Sequence, residues 1–184
     1  IYLDMDGVCV DFLGAAMTTQ GYDANEYFKR WLDEYPGEIF PENLIGKTPI
    51  EFFNHPHLRT VEFWSNLVPF TWFEELYSEL SRVGHVIFLT APISAPGCVQ
   101  GKHQWLINQF GNDFHEFIFT RHKERLAHAN AYLVDDMPFN IEPFMSRSGH
   151  GLLFPQIWNA HAGIDDPVAH IMKRLEKIEA GQES

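Results

Sequence analysis

The chain is short of sulfur, of positive charge and of long apolar runs, and each shortage removes a class of protein. It has two cysteines, Cys9 and Cys98, with no C-x-x-C spacing. Such a pair builds neither a disulfide framework nor a thiolate zinc site, and it fits a reducing, cytoplasmic interior. Lys and Arg number 13 against 25 Asp and Glu, for a formal charge of −12. Binding to polymeric nucleic acid is driven by Lys and Arg releasing phosphate counterions, so a DNA or RNA strand is not the expected partner. A small phosphorylated molecule survives this argument, provided positive charge is gathered locally. No apolar run approaches the roughly 18 residues of a membrane span, and no signal peptide is visible in the sequence.

What the chain does have is an alternation of apolar runs and helical patterns. Residues 1–3, 86–89, 117–119, 131–134 and 151–154 read as short strands, apolar throughout, as parallel strands buried on both faces are. A helix is expected over about 99–110, stopped by Gly111. Another is expected to start at Trp72, capped by Thr71 with Glu74 three residues on, and to end at Gly84. The expected fold is α/β, a doubly wound parallel sheet. One interval breaks the alternation. Residues 13–70 contain no convincing strand but two capping boxes, Asp23-Ala24-Asn25-Glu26 and Thr48-Pro49-Ile50-Glu51. They read as a small helical insertion after the first strand, leaving 1–12 and 71–184 as the core. The charged tail from Lys173 to Ser184 is expected to fray.

The chemistry begins where the first strand ends. Alternation puts Asp4 and Asp6 on one face, and two like charges so close call for a cation to offset them. Asp-x-Asp-Gly also opens a calcium-binding loop, but Val8 and Ala15 stand where that loop needs oxygen ligands. A plain turn is the other competitor. Against it stand the other strand ends: Thr90 closes the second, Lys123 follows the third, and Asp135 and Asp136 close the fourth. Ligands of open parallel sheets bind outside the carboxyl ends of the strands. A carboxylate there can attack phosphorus, a neighbouring carboxylate can protonate the leaving oxygen, and Lys123 and Thr90 can meet the phosphoryl charge.

Asp4-Met5-Asp6-Gly7-Val8, Phe88-Leu89-Thr90-Ala91-Pro92, Lys123 and Leu133-Val134-Asp135-Asp136 stand in the order of the four motifs of the haloacid dehalogenase superfamily, which the chain resembles. It is more closely similar to the 5′(3′)-deoxyribonucleotidases. That likeness rests on Asp11-Phe12, on Thr-x-Pro in the second motif, on Thr120-Arg121-His122-Lys123, on Asp-Asp-x-Pro, and on Leu153-Phe154 followed by Trp158-Asn159. The resemblance implies a doubly wound core with a helical cap, and a phosphomonoesterase acting on nucleoside monophosphates through an aspartyl-phosphate. It implies Asp4 as nucleophile and Asp6 as general acid/base. Mg²⁺ would be held by the Asp4 carboxylate, the Asp6 carbonyl and Asp135, with Asp136 behind them as a further charge partner. Thr90, the Ala91 backbone and Lys123 would hold the phosphate, and Lys102 would approach it. Met137 stands where these enzymes often carry arginine, and Ala91 where serine is frequent. A homodimer is compatible with the pattern.

Residues 27–73 are rich in aromatic side chains. Tyr27, Phe28, Trp31 and Tyr35 have helix-face spacing and are expected to pack in the insertion. Phe12, Phe52, Phe53, Phe63 and Trp64 are the candidates for a pocket over the phosphate, where a nucleobase could stack. The ten histidines are scattered without metal-ligand spacing, and Cys9 reads as a small buried residue. Two rival functions remain: a phosphatase for another small ester such as a sugar phosphate, and a catalytically silent fold acting as a binding module.

Overall fold

The protein is described by a computed structural model over residues 1–182. The expected strands form one five-stranded sheet: β1 (Tyr2–Leu3), β2 (Ile87–Thr90), β3 (Phe117–Phe119), β4 (Tyr132–Asp135) and β5 (His150–Leu153). Their order is β3-β2-β1-β4-β5, with every neighbouring pair parallel. The chain runs outward from β1 through β2 to β3, then returns to β4 on the other side of β1. Strand order therefore reverses at β1 and β4, which is where such sheets bind ligands. Helices α1 (Phe12–Thr19), α2 (Ala24–Glu34), α3 (Glu42–Ile45), α4 (Pro49–Phe53) and α5 (Val61–Ser65) fill the interval after β1. The core helices are α6 (Phe73–Val83), α7 (Cys98–Phe110), α8 (Pro138–Met145) and α9 (Pro167–Glu179).

Leu3, Phe88, Val134 and Leu152 of the sheet share one apolar cluster with Leu76 and Leu80 of α6, Trp105 and Leu106 of α7 and Ile171 and Leu175 of α9. Trp31, Leu44, Ile45, Phe52 and Leu58 of the interval after β1 form a second cluster, which Trp158 joins from beyond β5. The interval's two ends are tied together where it leaves and rejoins the core. The Asp11 N–H donates to the Val68 carbonyl at 3.1 Å, and the Phe70 N–H to the Cys9 carbonyl at 2.9 Å. Along one side α5 packs directly on α7, which the lack of a side chain at Gly101 permits: a Cβ there would collide with Trp64 and the Val61 backbone.

Local capping follows the sequence in part. Thr48 and Glu51 form the full capping box on α4, and Asp23 accepts from the Asn25 and Glu26 N–H groups on α2. Thr71 does not cap α6. The helix begins one residue later, with Trp72 at its N-cap and no side-chain cap, and the Trp72 indole donates instead to the Val8 carbonyl. The tail also differs from expectation. Helix α9 runs through Glu179 because Ile171, Leu175 and Ile178 recur on one face and are buried. Residues 183–184 of the tail lie outside the described residues.

Candidate active site

The four motif ends converge beneath a cavity of about 600 Å³. Asp4 extends the β1 ladder, its N–H donating to the Val134 carbonyl at 3.0 Å, so it lies beside the end of β4. The chain then turns sharply: the Cys9 and Val10 N–H groups both return to the Met5 carbonyl. Gly7 makes this turn possible. Its φ is +76°, and a Cβ at that position would run into the Asp136 carboxylate.

Lys123 is 1% exposed, and its ammonium lies 2.7 Å from Asp4 Oδ1 and 2.6 Å from Asp135 Oδ2. Asp135 is held on its other side by the Asn140 amide at 3.0 and 3.1 Å and by the Met137 N–H at 2.9 Å. Asp136 accepts from the Trp158 indole at 2.7 Å through Oδ2, while its Oδ1 is buried with no hydrogen-bond partner. Lys102, reaching from α7, donates to Asp6 Oδ2 and to the Thr90 hydroxyl, both at 2.6 Å.

Charge and burial pull these groups in definite directions. Burial raises Asp135 to about 6, although Lys123 opposes it. Burial also raises Asp136 well above the usual aspartate range, reinforced by the charges of Asp135 and Asp4. Asp6 is raised by burial against the pull of Lys102. Burial alone would lower Lys123, but Asp4 and Asp135 outweigh it and hold the ammonium protonated. The Cys9 thiol is pushed up by burial and by Asp4 and Asp6; it donates to the Asp4 carbonyl at 3.1 Å and stays a neutral thiol.

The floor therefore brings together four carboxylates and two ammonium groups, leaving two formal negative charges uncompensated. Asp4, Asp135 and Asp136 each offer an oxygen within 4.8 Å of the others, a group that could hold a metal ion. All-oxygen donors, an excess of two negative charges and an unpartnered Asp136 oxygen fit a hard divalent cation. Asp136 thus stands beside Asp4 and Asp135 in one carboxylate cluster, while Asp6 lines the cavity and pairs through Oδ2 with Lys102.

Of the remaining residues singled out in the sequence, Ala91, Phe12 and Phe53 line the cavity. Lys102 and Thr90 do not. Both are fully buried off its wall, because the Lys102 ammonium is committed to Asp6 and to the Thr90 hydroxyl. Phe52, Phe63 and Trp64 also do not reach the cavity. Phe52 is fully buried in the second apolar cluster. The Trp64 ring packs parallel to Phe12 at 4.9 Å, its face lies 5.3 Å from the Lys102 ammonium, and Phe63 meets Phe12 edge-on.

The wall includes residues to which the sequence assigned no role: Ile39, Phe40, Arg121, Met137, Phe139, Asn140 and Trp158. Asn140 had a signal, since Pro138 after Asp-Asp-x marks a helix start whose first turn faces back to Asp135. Arg121 and Trp158 stand within motifs already noted. Ile39 and Phe40 follow α2 in a stretch with no periodicity to place them.

The family model described as 5′ nucleotidase, deoxy (pyrimidine), cytosolic type C protein (NT5C) matches residues 1–170. No relative was found among curated protein sequences. Two solved structures of L-2-haloacid dehalogenase from Xanthobacter autotrophicus, one with chloropropionic acid covalently bound, are similar at 13% identity. Each has a TM-score of 0.47 over 95% of this chain and 86% of theirs. No helix among the described residues is long and apolar enough to cross a membrane. With that match over nearly its whole length and the four motifs gathered at one sheet end, the chain belongs to the cytosolic type C 5′-nucleotidase family of phosphoric monoester hydrolases, within the haloacid dehalogenase superfamily.

Proposed function

We propose that the protein is a Mg²⁺-dependent phosphomonoesterase that removes the phosphate of a (deoxy)ribonucleoside monophosphate by way of an aspartyl-phosphate. The observation that carries this reading is the convergence of Asp4, Asp6, Lys123 and Asp135 under one cavity large enough for a nucleotide. Asp4 attacks phosphorus, and the bond to the ester oxygen breaks. Asp6 gives its proton to that oxygen, and the free alcohol leaves. Asp6 then takes a proton from water, which attacks the phosphorus of the Asp4 ester and releases inorganic phosphate. The raised Asp6 carboxyl supports its proton-carrying role. Lys123 and the Ala91 backbone meet the phosphoryl oxygens, while Lys102 holds Asp6 in place from behind. Asp4, Asp135 and Asp136, with the Asp6 carbonyl, would hold Mg²⁺, which supplies charge stabilisation for the phosphoryl oxygens.

Residues 13–70 serve as the cap, and Phe12, Phe40 and Phe53 form the face against which a base lies. An apolar wall of this kind favours a nucleobase over a sugar. The intact floor weighs against a silent binding module. Two buried free thiols suit a reducing compartment, and we place the protein in the cytoplasm. The test is phosphate release from a panel of nucleoside and sugar monophosphates, with Mg²⁺ and with EDTA. The expected result is Mg²⁺-dependent turnover of nucleotides. Turnover of none of the esters would overturn the reading.

A further inference from the structure

The protein has five tryptophans, and their indole N–H groups divide unequally. Trp31 donates to the Glu38 carbonyl at 2.9 Å, Trp64 to Leu58 at 2.8 Å, Trp72 to Val8 at 2.9 Å and Trp105 to Leu67 at 2.8 Å. Trp158 alone donates to a carboxylate, Asp136 Oδ2, at 2.7 Å. Its acceptor is 2% exposed. Burying a carboxylate costs far more than burying a carbonyl, so the indole's need for an acceptor does not account for this pair.

The geometry gives another reason for it. The indole takes Oδ2 of Asp136 and leaves Oδ1 without a partner, and the same carboxylate belongs to the cluster with Asp4 and Asp135. The segment that carries Trp158 is itself firmly held. The Asn159 amide donates to the Asp136 and Phe154 carbonyls, both at 2.8 Å, and Gln156 donates to the Gly7 carbonyl at 2.6 Å. These bonds fasten the Asp4–Gly7 turn and the Asp135–Asp136 pair to one backbone segment. On its far side, the Ile157 carbonyl accepts from the Gly37 N–H at 2.9 Å, and the Trp158 ring packs on Trp31 at 6.1 Å. Trp158 therefore has little freedom to turn.

We propose that Trp158 is a positioning residue whose indole N–H orients the Asp136 carboxylate so that its other oxygen serves the divalent-cation site shared with Asp4 and Asp135. Groups that hydrogen-bond metal-ligating side chains typically change metal affinity by about 10- to 100-fold. This inference rests on the proposed cation site, and its test separates the two.

Metal-free protein is titrated with MgCl₂ by calorimetry. Trp158→Phe keeps a ring and removes the N–H, and it should weaken Mg²⁺ binding by about 10-fold. Asp136→Asn should weaken it as well. The double variant should bind no more weakly than Asp136→Asn alone, since Trp158 acts only through Asp136. A purely structural tryptophan would give additive losses, and additivity would overturn the proposal. So would unchanged Mg²⁺ affinity in Trp158→Phe. Absence of Mg²⁺ binding to the wild-type protein would overturn the cation site and this role together. A second measurement needs no change at Trp158. In a ¹H–¹⁵N spectrum of the wild-type protein, saturating Mg²⁺ should move the Trp158 indole peak, identified as the one displaced in Asp136→Asn. The Trp64 and Trp105 peaks should stay in place. A Trp158 peak that ignores Mg²⁺ would overturn the proposal.

Discussion

On the floor of the cavity the Lys123 ammonium stands 2.7 Å from one carboxylate and 2.6 Å from another, whereas on the wall Phe53 meets Phe12 and Phe40 at ring separations of 5.7 Å. The floor is charged, buried and held by short directional bonds. The wall is apolar and held by packing. A displaced floor group leaves an uncompensated charge in a low dielectric, so the floor tolerates almost no substitution. A changed ring loses contact area and little else. This division suits a phosphatase whose chemistry is constant and whose substrate is set by shape.

The sharpest way to break the contrast is Asp4→Asn. It should lower kcat by on the order of 10⁴-fold or more while the protein remains folded, as removal of a nucleophile does elsewhere. Wild-type turnover in this variant would end the nucleophile assignment. Stripping the cation is the next largest perturbation. EDTA should abolish turnover, and added MgCl₂ should restore it, read as released phosphate.

Two neighbouring rings then compare core with wall. Phe52 is fully buried in the second apolar cluster, so Phe52→Ala should cost about 3–5 kcal/mol in urea unfolding. Phe53 lines the cavity, so Phe53→Ala should raise KM by about 10-fold, within the roughly 1–3 kcal/mol of a base stacking contact, and leave kcat nearly unchanged. Equal effects of the two on KM would erase the distinction drawn between them.

The floor should also respond to pH when the metal is absent. Asp135 is raised to about 6, and Asp6 and Asp136 are raised in the same direction. Between the ordinary aspartate value of about 3.9 and these raised values, the folded protein holds protons that the unfolded chain has released. The Asp135 contribution to stability is thus fully present below about pH 4 and is lost as pH rises through about 6, and Asp6 and Asp136 act in the same direction. The Tm of metal-free protein should fall between about pH 5 and 7, and saturating Mg²⁺ should flatten that fall. A Tm that rises over this range without metal would contradict the assigned directions. The smallest effect belongs to Ile50→Ser. Its side chain is 82% exposed, and unfolding should change by less than about 0.5 kcal/mol.

The strands were legible because each is a short apolar run whose period and flanking residues are local properties. For the same reason Asp4, Asp6, Lys123, Asp135 and Asp136 could be placed at strand ends from the linear pattern alone. The Thr71 cap and the frayed tail were misread for a shared reason. A capping signal and a charged stretch are weak local preferences, and the Trp72 contact with Val8 and the buried face of α9 override them. The aromatic wall was only half legible. Phe52 and Phe53 are adjacent and chemically identical, and nothing in their spacing says which one faces the cavity.

Composition and periodicity determined the α/β class, the parallel sheet and the set of groups that could handle a phosphate. They act through short-range propensity and burial, which a linear pattern records. The tertiary structure decided the partners. Lys102 turned to an aspartate 96 residues away rather than to the cavity, Asp136 came to lie beside Asp4 and Asp135, and a tryptophan 22 residues beyond that aspartate became its hydrogen-bond donor. Electrostatic and hydrogen-bond partners are chosen by distance in space over a few ångströms, and spacing along the chain does not encode that distance.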